Sequence, residues 1–416
     1  MTRSQSLLAC TAAALALAST PALAQSPVLI EDEVVTTSPD IELELIGRVM
    51  LDQTFASADE ADVNFNTSDA RRLRIGVKGN YGDDVKFKLE LNTDSSGDIN
   101  AEDAYVQWYP TGDSWSVIVG QDNTHNSFDE LTSSIFVPFA ERSFLTDTFQ
   151  LDRRLGVSLL DQGDNWTAAV GLHTVNLENA GDEEGWAASA RVTGTPVNTD
   201  DLLLHLGASW RYRDQGSSDD LLRYRQRPMS GSLNRIISTG RVAEEDNFYG
   251  VEAVASLQDG KFWLASEYTL TEAESTVGGI ADDASFSGGY LTAGTMLGGR
   301  RTYKNGTWKR PKIDNPVGSG GYGALLVEAR YDRIDLEDDP VDGGELDGLA
   351  IAADWYLTKY SHIGVTAFTS DAELGTSTSG LGSPFSNLVT AGFEEEDVSG
   401  IVIRAQFDWG VPVGKF

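Results

Sequence analysis

The chain has 416 residues, enough for two or three soluble domains or for one large β-architecture. It carries 64 acidic residues against 31 basic ones, a formal net charge of −33. That balance excludes a nucleic-acid partner, whose phosphates need a basic surface. It predicts acidic, solvated loops instead.

The N-terminus, MTRSQSLLACTAAALALASTPALA, differs from the rest. One positive charge (Arg3), a short apolar run and Ala22-Leu23-Ala24 form a secretory leader with a small-residue cleavage site, so residues 1–24 are expected to leave after Ala24. Cys10 is the only cysteine. Too few apolar residues precede it for a lipoprotein site, and once it leaves with the leader no thiol remains for disulfides or thiolate metal sites. Residues 25–41 read as a short periplasmic segment, too short for a plug domain. No later stretch holds the ~18 consecutive apolar residues of a membrane helix. The mature chain is therefore periplasmic, secreted or an outer-membrane barrel.

Period-two alternation begins near residue 43 and recurs to 409. VKFKLELN sets Val85, Phe87, Leu89 and Leu91 against Lys86, Lys88 and Glu90. LLLHLGASWRYRD and IVIRAQFDW repeat the pattern. Sixteen such segments lie near 43–55, 69–80, 84–92, 103–110, 115–121, 152–161, 165–173, 185–193, 202–213, 247–257, 261–270, 287–297, 322–333, 347–357, 361–369 and 398–409. Tight turns such as NYGDD, PTGDS, DQGDN and QDGK alternate with long polar stretches at 56–68, 93–102, 122–151, 174–184, 214–246, 271–286, 334–346 and 370–397. A basic segment, 298–316, breaks the parity.

An even strand number with short turns at one end and long loops at the other predicts an all-β, sixteen-stranded antiparallel transmembrane β-barrel. Tyr109, Trp115, Trp166, Trp186, Trp210, Trp263, Trp355 and Trp409 stand toward segment ends, where a barrel sets its aromatic girdles. The apolar row of VKFKLELN then faces lipid and its charged row a wet lumen. Closure follows from backbone chemistry, since an open sheet edge in hydrocarbon strands unpaired groups costing several kcal/mol each. Pro412 should interrupt pairing, so Trp409 is read as the end of the last strand and 410–416 as an extension.

The ordered run ARRLRIGVKGNYGDDVKFKLELN, EDAYVQWYP, VGQ, LTSSIFVPFAERS and DRRLGVSLL resembles the phosphate-selective porin O and P family of Gram-negative outer membranes. RYRQRPMSGSL, YDRIDLEDD and GIVIRAQFDW extend the likeness over about residues 42–409. The resemblance implies a barrel embedded in outer-membrane lipid, a homotrimer, and passive passage of small anions such as phosphate or pyrophosphate. It implies short periplasmic turns, long extracellular loops and a third loop, here 121–151, folded inward. Arg71, Arg72, Arg142, Arg223, Arg225 and Arg227 match positions of the family's arginine ladder or constriction.

The residues support part of this directly. Arg223, Arg225 and Arg227 are spaced by two, so in extended chain they project to one side. Guanidinium forks suit phosphate oxygens, and a row of them can hand an ion along. Their other reading is charge balance for nearby acidic loops. One departure stands out. Where the family carries a lysine three positions before the Ser-Ser pair, this chain has Glu130, beside Asp129. Glu102 and Asp103 match family acids on the lumen side. The expected constriction acids are thus Glu102, Asp129 and Glu130, and a general or weakly selective pore competes with a phosphate-preferring one. The alternative for Glu130 is a pair with an arginine such as Arg142.

No enzyme is expected. His125, His173, His205 and His362 sit in neither a G-x-S-x-G nor an H-E-x-x-H context, and no G-x-x-x-x-G-K-[ST] motif occurs. DLEDD at 335–339 lacks the spacing of a calcium-binding hand. Neither a cofactor nor a metal is expected. A non-conducting structural or adhesion barrel is the remaining alternative.

Overall fold

The computed structural model describes residues 40–415, apart from 94–96, 111–113, 175, 178–184, 217–220 and 275–282. The leader, nearly all of 25–41, and Phe416 lie outside the described residues. The wall opens with β1 (Ile41–Ala58), β2 (Val63–Tyr81), β3 (Val85–Thr93), β4 (Ile99–Trp108) and β5 (Ser116–Asn123). It continues with β6 (Arg153–Gln162), β7 (Trp166–His173), β8 (Trp186–Asn198) and β9 (Leu202–Asp214). A small hairpin follows, β10 (Arg225–Gln226) with β11 (Ile237–Ser238). Next come β12 (Glu245–Leu257), β13 (Phe262–Glu274) and β14 (Asp283–Leu297), then a second hairpin, β15 (Gly299–Lys304) with β16 (Thr307–Ile313). β17 (Ala324–Asp338), β18 (Val341–Thr358), β19 (Ser361–Leu374) and β20 (Glu395–Lys415) complete the wall. Short helices α1 (Phe128–Leu131), α2 (Phe144–Thr148) and α3 (Phe385–Ala391) lie in loops.

Sixteen strands form a closed antiparallel barrel, sealed where β20 pairs with β1 from Ala58↔Val398 to Glu42↔Lys415. Closure leaves no edge. The faces are inverted relative to a soluble sheet. Leu89 is 44% exposed on the outside while its neighbour Glu90, facing in, is 1% exposed. Val119, Val157, Val170, Leu291 and Ile351 continue an outer apolar belt that in water would aggregate and in hydrocarbon is at home.

Three expectations are corrected. The strand β20 does not stop at Trp409. Gly410, Val411 and Pro412 pair with Ile46, Leu45 and Glu44, and a register shift between Leu43 and Glu44 absorbs the irregularity at the proline. The stretches 56–68 and 334–346 are mostly strand, with turns only at 59–62 and 339–340. Above the lipid both faces are wet, so alternation fades while pairing persists. Trp263 faces inward and is buried, and so leaves the girdle, whereas Trp166, Trp186 and Trp355 are exposed on the outside, as is Trp108.

The lumen is unequal. Along β12, β13 and β17–β20 nearly every inward side chain is buried, whereas on β2–β4 most are only half-buried. One cause is an apolar cluster inside the barrel. Phe139, Phe144, Leu145 and Phe149 of the third loop, Leu222, Tyr224 and Ile236 of the fifth loop, and Phe385 of the eighth loop pack against Phe248, Phe286, Ile334 and Phe368 of the wall. Water is left the β1–β6 side.

Candidate pore and constriction

The third loop, between β5 and β6, folds into the lumen, and its backbone shows why. Four buried arginines, each paired with an acid, donate to its carbonyls. Arg404 grips Asp52 (2.7 and 2.6 Å) and reaches Phe139 O and Ala140 O. Arg330, paired with Asp332, donates to Glu141 O and Arg142 O at 3.1 Å each. Arg211, beside Asp246, reaches Phe149 O and Gln150 O. Arg301, paired with Glu328, reaches Phe136 O at 2.9 Å. Glu267 accepts from Ser127 Oγ and from the amides of Phe128 and Asp129, so it serves the start of α1. A loop carrying many unpaired carbonyls can be buried only if donors meet them.

The 298–316 segment that breaks the parity is the hairpin β15–β16, and it supports this loop from the end of the barrel that carries the short turns. Trp308 N donates to Thr132 Oγ1 (3.2 Å), and its ring meets Phe128 edge-on at 5.6 Å. Arg301 lies over the rings of Trp308 and Trp263. Across the lumen, Arg191 donates to Gly306 O and Tyr303 OH meets His205 Nδ1.

Opposite this filled side lies a cavity of about 640 Å³. Its lining carries eleven arginine or lysine residues against six acidic ones, although the chain as a whole is strongly acidic. β2 supplies two consecutive arginines, which ordinary alternation would send to opposite faces. A bulge resolves this. Between Met50↔Arg72 and Asp52↔Asp69 the strand β2 has one residue more than β1, and Arg71 and Arg72 both reach the cavity.

Of the expected ladder, Arg71, Arg72, Arg142, Arg225 and Arg227 line the cavity and Arg223 does not; it bonds Ser379 Oγ at 3.3 Å, toward the eighth loop. Arg225 and Arg227 thus share the cavity while Arg223 departs from it, and Tyr224 and Gln226, the residues between the three arginines, are buried. Glu102 and Glu130 line the cavity. Asp129 does not: its carboxylate accepts from Ser143 N and Ser143 Oγ (2.8 Å each), holding the start of α2, so its place among constriction acids is corrected. Glu130 lies 3.0 Å from Arg142 Nε, and Arg142 also donates to Asp129 O and Thr132 O. Burial pushes the Glu130 carboxyl up to about 7, against the pull of Arg142.

Sequence reasoning missed Glu141, Asp147 and Arg235. Glu141 clamps Arg71 through both oxygens (Nη2–Oε2 2.7 Å). Burial would raise its pKa, but Arg71 holds it well below the usual carboxylate range. Asp147 is shared by Arg227 (3.3 Å) and Arg235. The only signal for Glu141 was its place beside Arg142 in FAERS. Below lies an interleaved wall network: Glu90 among Arg48, Arg74 and Lys88, Glu102 between Arg74 and Arg153, and Asp103 between Lys88 and Arg153. Arg72 and Arg225 have no carboxylate partner among the described residues; their bonds go to Met50 Sδ and Gly380 O.

A closed sixteen-strand barrel, apolar outside, with an inward loop across a charged lumen, defines an outer-membrane porin. The chain belongs to the phosphate-selective porin O and P family, which it matches over residues 44–409. An uncharacterised protein of Caulobacter vibrioides is 34% identical over 352 residues, 80% of this chain and 70% of that protein. An anion-selective porin from Comamonas acidovorans is similar in fold, with TM-score 0.56, 15% identity, and coverage of 89% of this chain and 100% of that one. The trimer form of OmpT of Vibrio cholerae gives TM-score 0.53 and 11% identity over 89% of this chain and 99% of that one.

Proposed function

We propose that this porin passes small hydrophilic anions by passive diffusion, with a modest preference for anions over cations. The observation that carries this is the surplus of cations on the cavity lining, with Arg72 and Arg225 free of carboxylates among the described residues. Such a surplus raises the local anion concentration. Phosphate and pyrophosphate enter the class through the family. Against a strong phosphate preference stand the carboxylates of the third loop, which occupy Arg71, Arg142 and Arg235. A porin without phosphate preference is therefore the second reading.

The same proposal covers the rest of the molecule's setting. Residues 1–24 direct export and are removed, 25–41 lie in the periplasm, and the barrel assembles as a homotrimer in the outer membrane of a Gram-negative bacterium. Transport involves no catalytic step, cofactor or metal. Reversal potentials of the purified protein in planar bilayers under asymmetric KCl test the reading, with and without inorganic phosphate. A chloride-over-potassium preference supports it; a potassium preference or an absence of conductance overturns it.

A further inference from the structure

Of the four carboxylates that the third loop brings to the cavity, Asp152 is largely exposed beside Arg153, and the other three are held by arginines deeper in: Glu130 by Arg142, Glu141 by Arg71, and Asp147 by Arg227 and Arg235. Glu141 is the most firmly placed. Its backbone oxygen and that of Arg142 both accept from Arg330 at 3.1 Å, so the carboxylate cannot swing away with the loop. The fifth loop leaves it room, because a β-carbon at Gly231 would lie 2.4 Å from Glu141 Oε1. The bulge in β2 puts Arg72 beside Arg71 on the same side. Two adjacent arginines thus face the path, one open and one already occupied.

We propose that the third loop supplies the pore with built-in counter-ions, and that Glu141, by neutralising Arg71, lowers the pore's anion selectivity. This rests on the reading of the cavity as an anion path. A passing monoanion meets Arg72 directly. A phosphate dianion, which gains from two adjacent forks, engages Arg71 only by displacing Glu141. The pore is thereby biased to small monoanions, and phosphate passes without being held.

The test uses the full-length protein in planar bilayers, with chloride as permeant and inorganic phosphate as competitor. Glu141→Gln should raise the chloride-over-potassium permeability ratio roughly two- to threefold, the effect of one unit charge acting across several ångströms of water. Phosphate should then inhibit chloride current at lower concentration than in the wild type. Arg71→Gln, which unmasks the carboxylate, should move the ratio toward potassium. The double variant should fall between the two singles. A structural role alone would not give shifts of opposite sign. Unchanged reversal potential and phosphate inhibition in Glu141→Gln, or shifts of the same sign in both singles, overturn the inference. Should Glu141→Gln not assemble, Asp147→Asn against Arg235→Gln is judged by the same signs. A wild type that does not conduct would instead sink the underlying anion-path reading.

Discussion

The two sides of this barrel use arginine in opposite ways. On the β12–β20 side, Arg330 and Arg404 are 3% and 6% exposed, each paired with a wall carboxylate and each spending its remaining donors on loop carbonyls. On the β1–β6 side, Arg71 and Arg72 face the open cavity. A buried guanidinium is tolerable only when fully satisfied, and satisfying it is what nails the loop down. A wet one costs little and can exchange partners. The filled side thus fixes the constriction loop, and the wet side presents charge to whatever passes.

The most direct way to break this distinction is Arg404→Ala. It strips Asp52 of its partner and frees two loop carbonyls. Removing one member of a buried pair costs about 3–5 kcal/mol. The third loop should loosen, giving larger and noisier single-channel currents and trypsin cleavage at Arg142. Steady wild-type currents from Arg404→Ala would mean that the wall does not hold the loop. Trp308→Ala is the next largest. It removes a ring buried between Phe128, Trp263 and Arg301, a loss of about 3 kcal/mol or more for a large aromatic. Reduced thermal stability in detergent and an unsteady constriction should follow. Loss of stability with steady currents would confine the hairpin to a purely structural role.

Arg72→Ala sharpens the comparison from the wet side. With no carboxylate to orphan among the described residues, it should leave the barrel's melting temperature within a degree or two of about the wild-type value while reducing chloride preference roughly two- to fourfold. Reversal potentials and thermal melts, taken together, check both halves. A drop in stability without a selectivity change would put Arg72 with the anchors.

The sequence made the wall legible because lipid outside and water or polar groups inside both enforce period two. The inequality of the lumen was not legible. Arg211 and Arg213 alternate with Trp210 and Tyr212 just as Lys86 and Lys88 do with Phe87, yet the arginines are at most 1% exposed. What distinguishes them is a loop more than 60 residues away in the chain, Phe149 and Gln150 lying over Arg211. Among residues at the cavity, Arg71 and Arg72 were singled out by their match to the family pattern and Glu130 by its departure from it. Asp129 was misplaced because adjacent residues at the start of a helix point to different sides, one into the cavity and one to Ser143. Glu141 was missed because only tertiary contact makes it Arg71's partner.

The smallest expected effect concerns Glu130 and runs through pH. Burial raises its pKa to about 7, so it is neutral below that pH and gains its negative charge as pH rises through it. Neutral Glu130 leaves the positive charge of Arg142, 3.0 Å away, uncompensated at the constriction. Anion preference should therefore be greater at pH 5.5 than at pH 8, by roughly a factor of two, in reversal potentials measured at constant salt. Glu130→Gln should hold the acid-side value across the range. A slope that survives in Glu130→Gln would place the titrating group elsewhere. A flat profile in the wild type would mean that Arg142 keeps Glu130 ionised throughout, and that the constriction is a fixed ion pair.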